Sequence, residues 1–411
     1  MTTESVFSGL KVLEVASFIA APAAATVLSD FGAEVIKLEP PGLGDPQRRL
    51  GSVPPSPRAA GNYSWHLANR NKRGMAVDLK SPGGTKILKR LVEWADVVIT
   101  NFPHGPREKL HLGYDEVSDW NPRVIYADIT GFGDSGPDAA LPGFDLTAYW
   151  SRSGLLASTR DAGAAPTLPV WGSGDYSVAI AIYAAVVTAL YHRERTGLGA
   201  NVGTSLLAAG VWATGTLVAA ALAGATPYAL HDRKVPVNAL SNSYQSEDGQ
   251  WFLLAARSAH WPALAKAIGH PELITDPRFA DLESLAKNAA VLAGLLDAEF
   301  RSQPFSQWKD ALDRARIPYG VIQTPEEAAK DPQLRANDIV VPLEGAPDLE
   351  YTINDPINLR GHSKVPATRA PDLGEHNDEV LAELGFDTDE IEALRDQGAI
   401  PVAAQQKVAT R

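Results

Sequence analysis

The chain contains no cysteine, which excludes disulfides, thiolate metal sites and a thiol nucleophile. Its nine histidines are scattered, without HExxH-like spacing, so the sequence carries no metal-site signature. Basic residues are in deficit. The 37 Lys and Arg against 49 Asp and Glu leave a net charge of −12, which argues against a general nucleic-acid-binding surface. Long hydrophobic runs are nearly absent as well. A stretch of 20 residues without a charge, Leu206 to Ala225, is built of Ala, Gly and Thr more than Leu and Ile. A buried helix is expected there rather than a membrane span. The preceding apolar run, Val178 to Tyr191, has 14 uncharged residues, too few to cross a bilayer. The N-terminus lacks the charged-then-apolar layout of a signal peptide, and together with the missing cysteines this leads to the expectation of a cytoplasmic protein.

What is present is ordinary globular composition: 411 residues, 45% hydrophobic and 21% charged, enough for two cores. Short apolar segments alternate with helical ones over the first half. LKVLEVA (10–16), EVIKLE (34–39), MAVDL (75–79), DVVITNF (96–102) and RVIYADITGFG (123–133) read as strands. That alternation predicts an α/β fold, a Rossmann-like doubly wound parallel sheet. The turn after the first strand, SFIAAP, is not G-x-G-x-x-G, so a dinucleotide dehydrogenase is unsupported. The Pro- and Gly-rich connection from 40 to 61 is long for a compact domain, which marks it as functional or disordered. Composition shifts place a large domain at 1–225, a small α+β domain at 226–325, and an extended return with a C-terminal helix at 326–411 that completes the large domain.

One carboxylate stands out. In Gly172-Ser173-Gly174-Asp175 a strand-like PTLPVW segment ends and a long helix begins, closed by Arg193, Arg195 and Gly197. An Asp at this place ordinarily caps the helix, and the helix dipole favours its ionised form. Flanked by Gly172 and Gly174, which remove steric cover, the same carboxylate could reach an acyl group as a nucleophile. The basic cluster Arg70, Lys72 and Arg73 is either a solvated turn or a site for a phosphorylated ligand.

Several segments, in order along nearly the whole chain, resemble the family III CoA-transferases. They are AAPAAATVLSDFGAEVIKLEPPGLGDPQRR (20–49), NRNKRGMAVDLKSPGG (69–84), the run from DVVITNF to PGFDL (96–146), GSGDYSVAIAIYAAVVTALYHRERTGLGANVGTSLL (172–207), DGQWFLLAARSAHWPALAKAIGHPEL, and RAPDLGEHNDEVLAELGF. The resemblance implies that coenzyme A moves from an acyl-CoA to a free carboxylic acid, with no permanently bound cofactor. Asp175 matches the family's catalytic aspartate, which passes through an anhydride and an aspartyl-CoA thioester. Lys72 matches a basic residue that contacts the CoA nucleotide, with Arg73 and Arg70 as weaker candidates. Asn101 and Phe102 match an Asn-Phe pair that approaches CoA, and Arg107 or Lys109 is expected to supply a cation beside it. Backbone N–H groups near Gly172 to Gly174 are candidate oxyanion donors. Phe144 stands where the related α-methylacyl-CoA racemases carry a His, directly before Asp145. Phenylalanine cannot shuttle a proton, so a racemase or epimerase is the lesser alternative, and a non-catalytic CoA-binding protein is another. Phe144, Gly172 and Gly174 are expected to line the substrate pocket. The resemblance also implies a homodimer of interlocked rings, and no nucleic-acid or membrane partner.

Overall fold

The computed structural model describes residues 5–51, 54 and 56–401. Parts of the chain read above, residues 1–4, 52, 53, 55 and 402–411, lie outside that set. The described residues form two compact units: 5–156, 168–222 and 333–401 in the first, 157–167 and 223–332 in the second. The segment 157–167, assigned above to the large domain, belongs with the second unit.

The first unit is built on six strands: β1 (Lys11–Val15), β2 (Glu34–Glu39), β3 (Arg73–Ala76), β4 (Val97–Thr100), β5 (Ile125–Thr130) and β6 (Ala200–Ser205). All pair in parallel, in the order β3-β2-β1-β4-β5-β6. Successive residues of each strand feed opposite cores, as period-two geometry requires. Val12, Val35, Val97, Ile125 and Ala127 face one core with the helices Ala20–Asp30 and Ser173–Thr196. Leu13, Ile36, Val98 and Tyr126 face the other, closed by the helix Pro82–Trp94 and the C-terminal residues Val380, Leu381 and Ile391. Helices on both faces explain why the strands read as near-continuous apolar runs.

The helix Ala20–Asp30 is buried along its whole length. Its sequence, AAPAAATVLSD, is mostly small side chains, which allow close packing against the Ser173–Thr196 helix. That longer helix buries Val178, Ala179, Ile182, Val186 and Ala189, spacings that place them on one face. It stops at Gly197 with φ 76°, and near its end Arg193 is ion-paired with Asp96 at 3.0 Å. By length and composition this helix is apolar enough to cross a membrane; the residues counted uncharged above are only its middle. The 206–225 stretch is two helices, Leu206–Ala213 and Gly215–Leu222. Eight residues rise about 12 Å, short of a hydrocarbon core of about 30 Å. The PTLPVW segment is not a strand: residues 166–171 pair with no neighbour and are mostly exposed, as two prolines lacking N–H donors favour.

The second unit holds an antiparallel hairpin of β7 (Ser241–Gln245) and β8 (Trp251–Ala255), with β9 (Tyr319–Val321) beside β8. Leu264, Leu296, Phe300, Trp308 and Leu312 cover one face of it.

Beneath the carboxyl ends of β1 and β2 lies a buried ionic cluster. Glu14 bonds Lys37 at 2.6 Å through one oxygen and Lys72 at 2.7 Å through the other. Lys37 also meets Asp45 at 2.9 Å. Glu39 accepts a two-pronged bond from Arg48, at 2.7 Å in each arm, and that guanidinium stacks 3.8 Å over Trp65. Burial works against the Lys37 charge, but Glu14, Asp45 and Glu39 outweigh it and hold the ammonium above its ordinary pKa. For Lys72 burial dominates, Lys37 adds repulsion, and its pKa falls to about 8 despite Glu14. Removing one partner of such a cluster strands the others in low dielectric. Glu14→Ala is therefore expected to lower the unfolding free energy by about 3–5 kcal/mol, read as a fall in urea midpoint at constant slope. A loss below about 1 kcal/mol, the scale of an exposed pair, would mean the cluster does not hold the fold.

Candidate active site

In a sheet of this strand order, ligands bind outside the carboxyl ends of the strands, where the order reverses. Here that point lies between β1 and β4. Asn101, one residue past β4, clamps the two exits together. Its Oδ1 accepts from Ser17 N–H at 3.0 Å, and its Nδ2 donates to Ser17 C=O at 2.7 Å. Next to Ser17, Phe18 sits at φ 65°, and its N–H donates to Asp45 at 3.0 Å. The connection from 40 to 61 thus reaches back, through Asp45, to shape the loop after β1.

Past β5 the chain turns through Pro142 and Gly143 into a π-helical segment, Asp145–Ser151, a geometry that recurs at functional sites. Asp145 is buried. Its Oδ2 accepts from Gly172 N–H at 2.6 Å, and the N–H groups of Gly174 and Asp175 also point at this carboxylate and favour its charge. Burial outweighs them, and the Asp145 carboxyl is raised above its ordinary pKa. Gly172 has φ 80°, in the left-handed region glycine enters without cost. A Cβ on Gly174 would lie 2.2 Å from Asp145 Oδ1 and 2.5 Å from the Tyr149 ring. Glycine at 174 is what lets Asp145 sit under the helix.

Asp175 therefore does not cap its own helix. No side-chain capping bond is made there, and the N–H of Gly172, at the helix start, is bonded to Asp145 instead. The Asp175 carboxylate is half-buried, and among the described residues no donor bonds to it. Burial, with the Asp145 charge adding, pushes its carboxyl up to about 7. The helix dipole favours the ionised form, yet a helix terminus contributes typically 0.3–1 kcal/mol, less than the desolvation it opposes. Trp150 steadies the turn, donating from its indole to Ser173 Oγ at 3.2 Å.

The other expected residues are distributed unevenly. Asn101 lies at the strand exit and Phe102 packs partly against the core beside it. Lys109 is exposed at the end of the helix His104–Lys109, with no anionic partner among the described residues. Arg107 is buried against Asp128 at 2.6 Å and His104 at 2.7 Å. Phe144 is exposed, immediately before Asp145. Lys72 departs from the expectation. Its ammonium is buried and donates to Glu14, Pro22 C=O, Ala68 C=O and Asn69, so its three protons are engaged and no phosphate reaches it in this conformation. Arg73 departs from it too: Glu34, Glu379 and Glu383 surround its guanidinium, an anionic setting that repels a phosphate. Arg70 is spent on Asp30. Gly172 N–H is occupied by Asp145, which removes it as an oxyanion donor. The sequence gives Asp145 no role beyond its place after Phe144 and does not signal Asp45 at all, since nothing local marks a bond across 27 residues.

Comparison with known proteins identifies the family. The family model described as CoA-transferase family III matches residues 7–377. The chain is 32% identical to the (R)-2-hydroxy-4-methylpentanoate CoA-transferase of Clostridioides difficile, over 95% of this chain and 98% of that one. It is 31% identical to the cinnamoyl-CoA:phenyllactate CoA-transferase of Clostridium sporogenes, over 98% and 99%. A CAIB/BAIF family protein from Brucella suis has the same fold, with a TM-score of 0.82 at 30% identity over 93% of this chain and all of that one. With a parallel six-stranded sheet, a family model spanning most of its length and transferase relatives matched end to end, the chain belongs to CoA-transferase family III and is an enzyme of that kind.

Proposed function

We propose that the protein moves coenzyme A from an acyl-CoA thioester to a free carboxylic acid, with Asp175 as the covalent nucleophile. The observation that carries this reading is a half-buried carboxylate left without a hydrogen-bond donor, at a helix start whose Gly172 N–H serves a second carboxylate. A carboxylate accepting several hydrogen bonds is stabilised and unreactive. One stripped of donors and raised to about 7 is more basic, so it is a better nucleophile, and is still substantially ionised near neutrality.

The steps balance without an external energy source. An Asp175 oxygen attacks the thioester carbonyl, the C–S bond breaks, and an aspartyl-acyl anhydride and CoA thiolate result. The thiolate attacks the aspartyl carbonyl, releasing the donor's carboxylate and leaving an aspartyl-CoA thioester. The acceptor acid's carboxylate attacks that carbonyl and expels the thiolate, which then attacks the acceptor's side of the new anhydride. Asp175 is regenerated and the acceptor leaves as its CoA thioester. Lys109, the exposed cation after β4, is assigned a CoA phosphate, while Asn101 holds the two strand exits that flank the pantetheine arm.

A homodimer is the proposed assembly. The helix Gly215–Leu222 is apolar yet buries none of its residues, and Trp212 and Leu222 are 87% and 85% exposed, a face that a second copy would cover. Light scattering is expected to give twice the chain mass of 43.8 kDa.

Asp175→Ala is expected to cut transfer on the order of 10⁴-fold and to abolish the mass adduct left at this residue after acyl-CoA treatment and hydroxylamine. Retained transfer would remove Asp175 from the reaction. Because the nucleophile is the ionised form, kcat/KM should rise with pH through about 7. Asp145→Asn removes the neighbouring charge that raises Asp175, so the midpoint of that limb should move to lower pH; an unmoved midpoint would show that the two carboxyls are uncoupled. Stability carries the same signature with opposite sign. A carboxyl raised in the folded state binds protons more readily there than in the unfolded chain, between its ordinary value near 4 and about 7. The Asp175 contribution therefore falls as pH rises through that window, and Asp175→Asn should flatten the fall in Tm.

A further inference from the structure

Three residues bear on the start of the catalytic helix, and each has an exposed aromatic ring beside it in the chain. Ile19 is buried, its Cδ1 3.0 Å from where a Cβ on Gly172 would stand; its neighbour Phe18 is 36% exposed. Asp145 holds Gly172 N–H; its neighbour Phe144 is 56% exposed. Gly172 itself follows Trp171, also 36% exposed. Phe18 and Phe144 meet edge to face, with ring centroids 6.1 Å apart and planes at 85°. Large rings left in water beside a charged group are not explained by core packing.

Phe18 adds a second observation. Its φ of 65° is a backbone conformation that a bulky residue rarely adopts and that persists only when its surroundings enforce it. The enforcing contacts are Asp45 on its own N–H and Asn101 on Ser17. A buried ionic cluster is thus spent on aiming one ring toward Phe144 rather than into the core.

We propose that Phe18 and Phe144, with Trp171 next in the chain to Gly172, form an aromatic wall for the acyl group, and that the enzyme selects carboxylic acids bearing an aromatic group over small or dianionic acids. This rests on Asp175 being the nucleophile. The rings lie one residue from the groups that touch the Asp175 turn, which puts them beside the turn rather than at the far end of the CoA arm. The adenine of CoA is a full pantetheine arm away. An edge-to-face pair presents both a ring face and a ring edge, the two surfaces against which a third ring packs favourably. A second carboxylate on the substrate would face two apolar rings and the Asp145 charge, with no cation there among the described residues.

The test compares 3-phenylpropionate with propionate and succinate as acceptors from acetyl-CoA. In the unaltered enzyme kcat/KM should favour the phenyl acid over both by about tenfold or more, the scale of one or two apolar contacts. Phe144→Ala and Phe18→Gly should each collapse that ratio, and Phe18→Gly should also raise Tm or leave it level by relieving the backbone. Equal losses for all three acids, or a rise confined to the KM for acetyl-CoA, would overturn the proposal and place the rings against CoA or the fold. Equilibrium dialysis of the same acids separates this idea from the one beneath it. Tighter binding of the phenyl acid, lost in Phe144→Ala, with no adduct at Asp175, would sink covalent catalysis and keep the wall. An adduct with no preference among the acids would do the reverse.

Discussion

The bond from Gly172 N–H to Asp145 decides what Asp175 can be. A helix start has free N–H groups and a positive dipole end, so some anion is drawn to it. Had Asp175 or an incoming ligand supplied that anion, its charge would be stabilised and its nucleophilicity spent. The fold supplies the anion from elsewhere instead. Asp145 arrives from a π-helical segment 27 positions earlier, passes under a glycine that leaves room for it, and takes the Gly172 N–H. The second carboxylate, one turn into the helix, is then half-buried, undonated and repelled by its neighbour. Desolvation and that repulsion, not the dipole, set its proton affinity.

The placement of this arrangement depends on charges buried on the other side of the strand exits. Glu14 and Lys37 on adjacent strands hold Asp45, and Asp45 holds the backbone of Phe18. Ion clusters of this sort are seldom worth more than a well-packed apolar replacement, so their value here lies in geometry. A loop with an unfavourable φ stays in place because moving it would take the Phe18 N–H from Asp45, which is buried beside Lys37. Lys72 completes the same cluster from β3's leading edge. The residue types that suggested a phosphate site in NRNKR are thereby explained by neutralisation inside the protein.

The parts of the fold that repeat in sequence were legible there. Strand–helix alternation reported the parallel sheet because each buried strand reads as a continuous apolar run and each crossover helix carries its own stop signals. The small α+β domain was legible for the same reason: its hairpin turns at SEDGQ between two β-rich runs, which is a local event. Segment 166–171 failed because valine and tryptophan carry strand propensity, while two prolines and the lack of any partner strand prevent pairing. The site was legible only at Asp175, where glycines, a helix start and a carboxylate stand side by side. Asp145, Asp45 and Glu14 act across 27 to 58 positions, and no local pattern records such a pairing.

The strand order is that of dinucleotide-binding sheets, yet the helix after β1 is put to a different use. In those folds a glycine-rich turn brings a diphosphate onto the first helix start. Here Ala20–Asp30 is buried from end to end and begins without a side-chain cap, behind a loop clamped by Asn101 and Asp45. Its start is closed to a phosphate. At the helix start that precedes β6, the Gly172 N–H is held by Asp145. A fold whose usual strength is holding anions here holds one carboxylate by a backbone N–H and leaves the next without a donor.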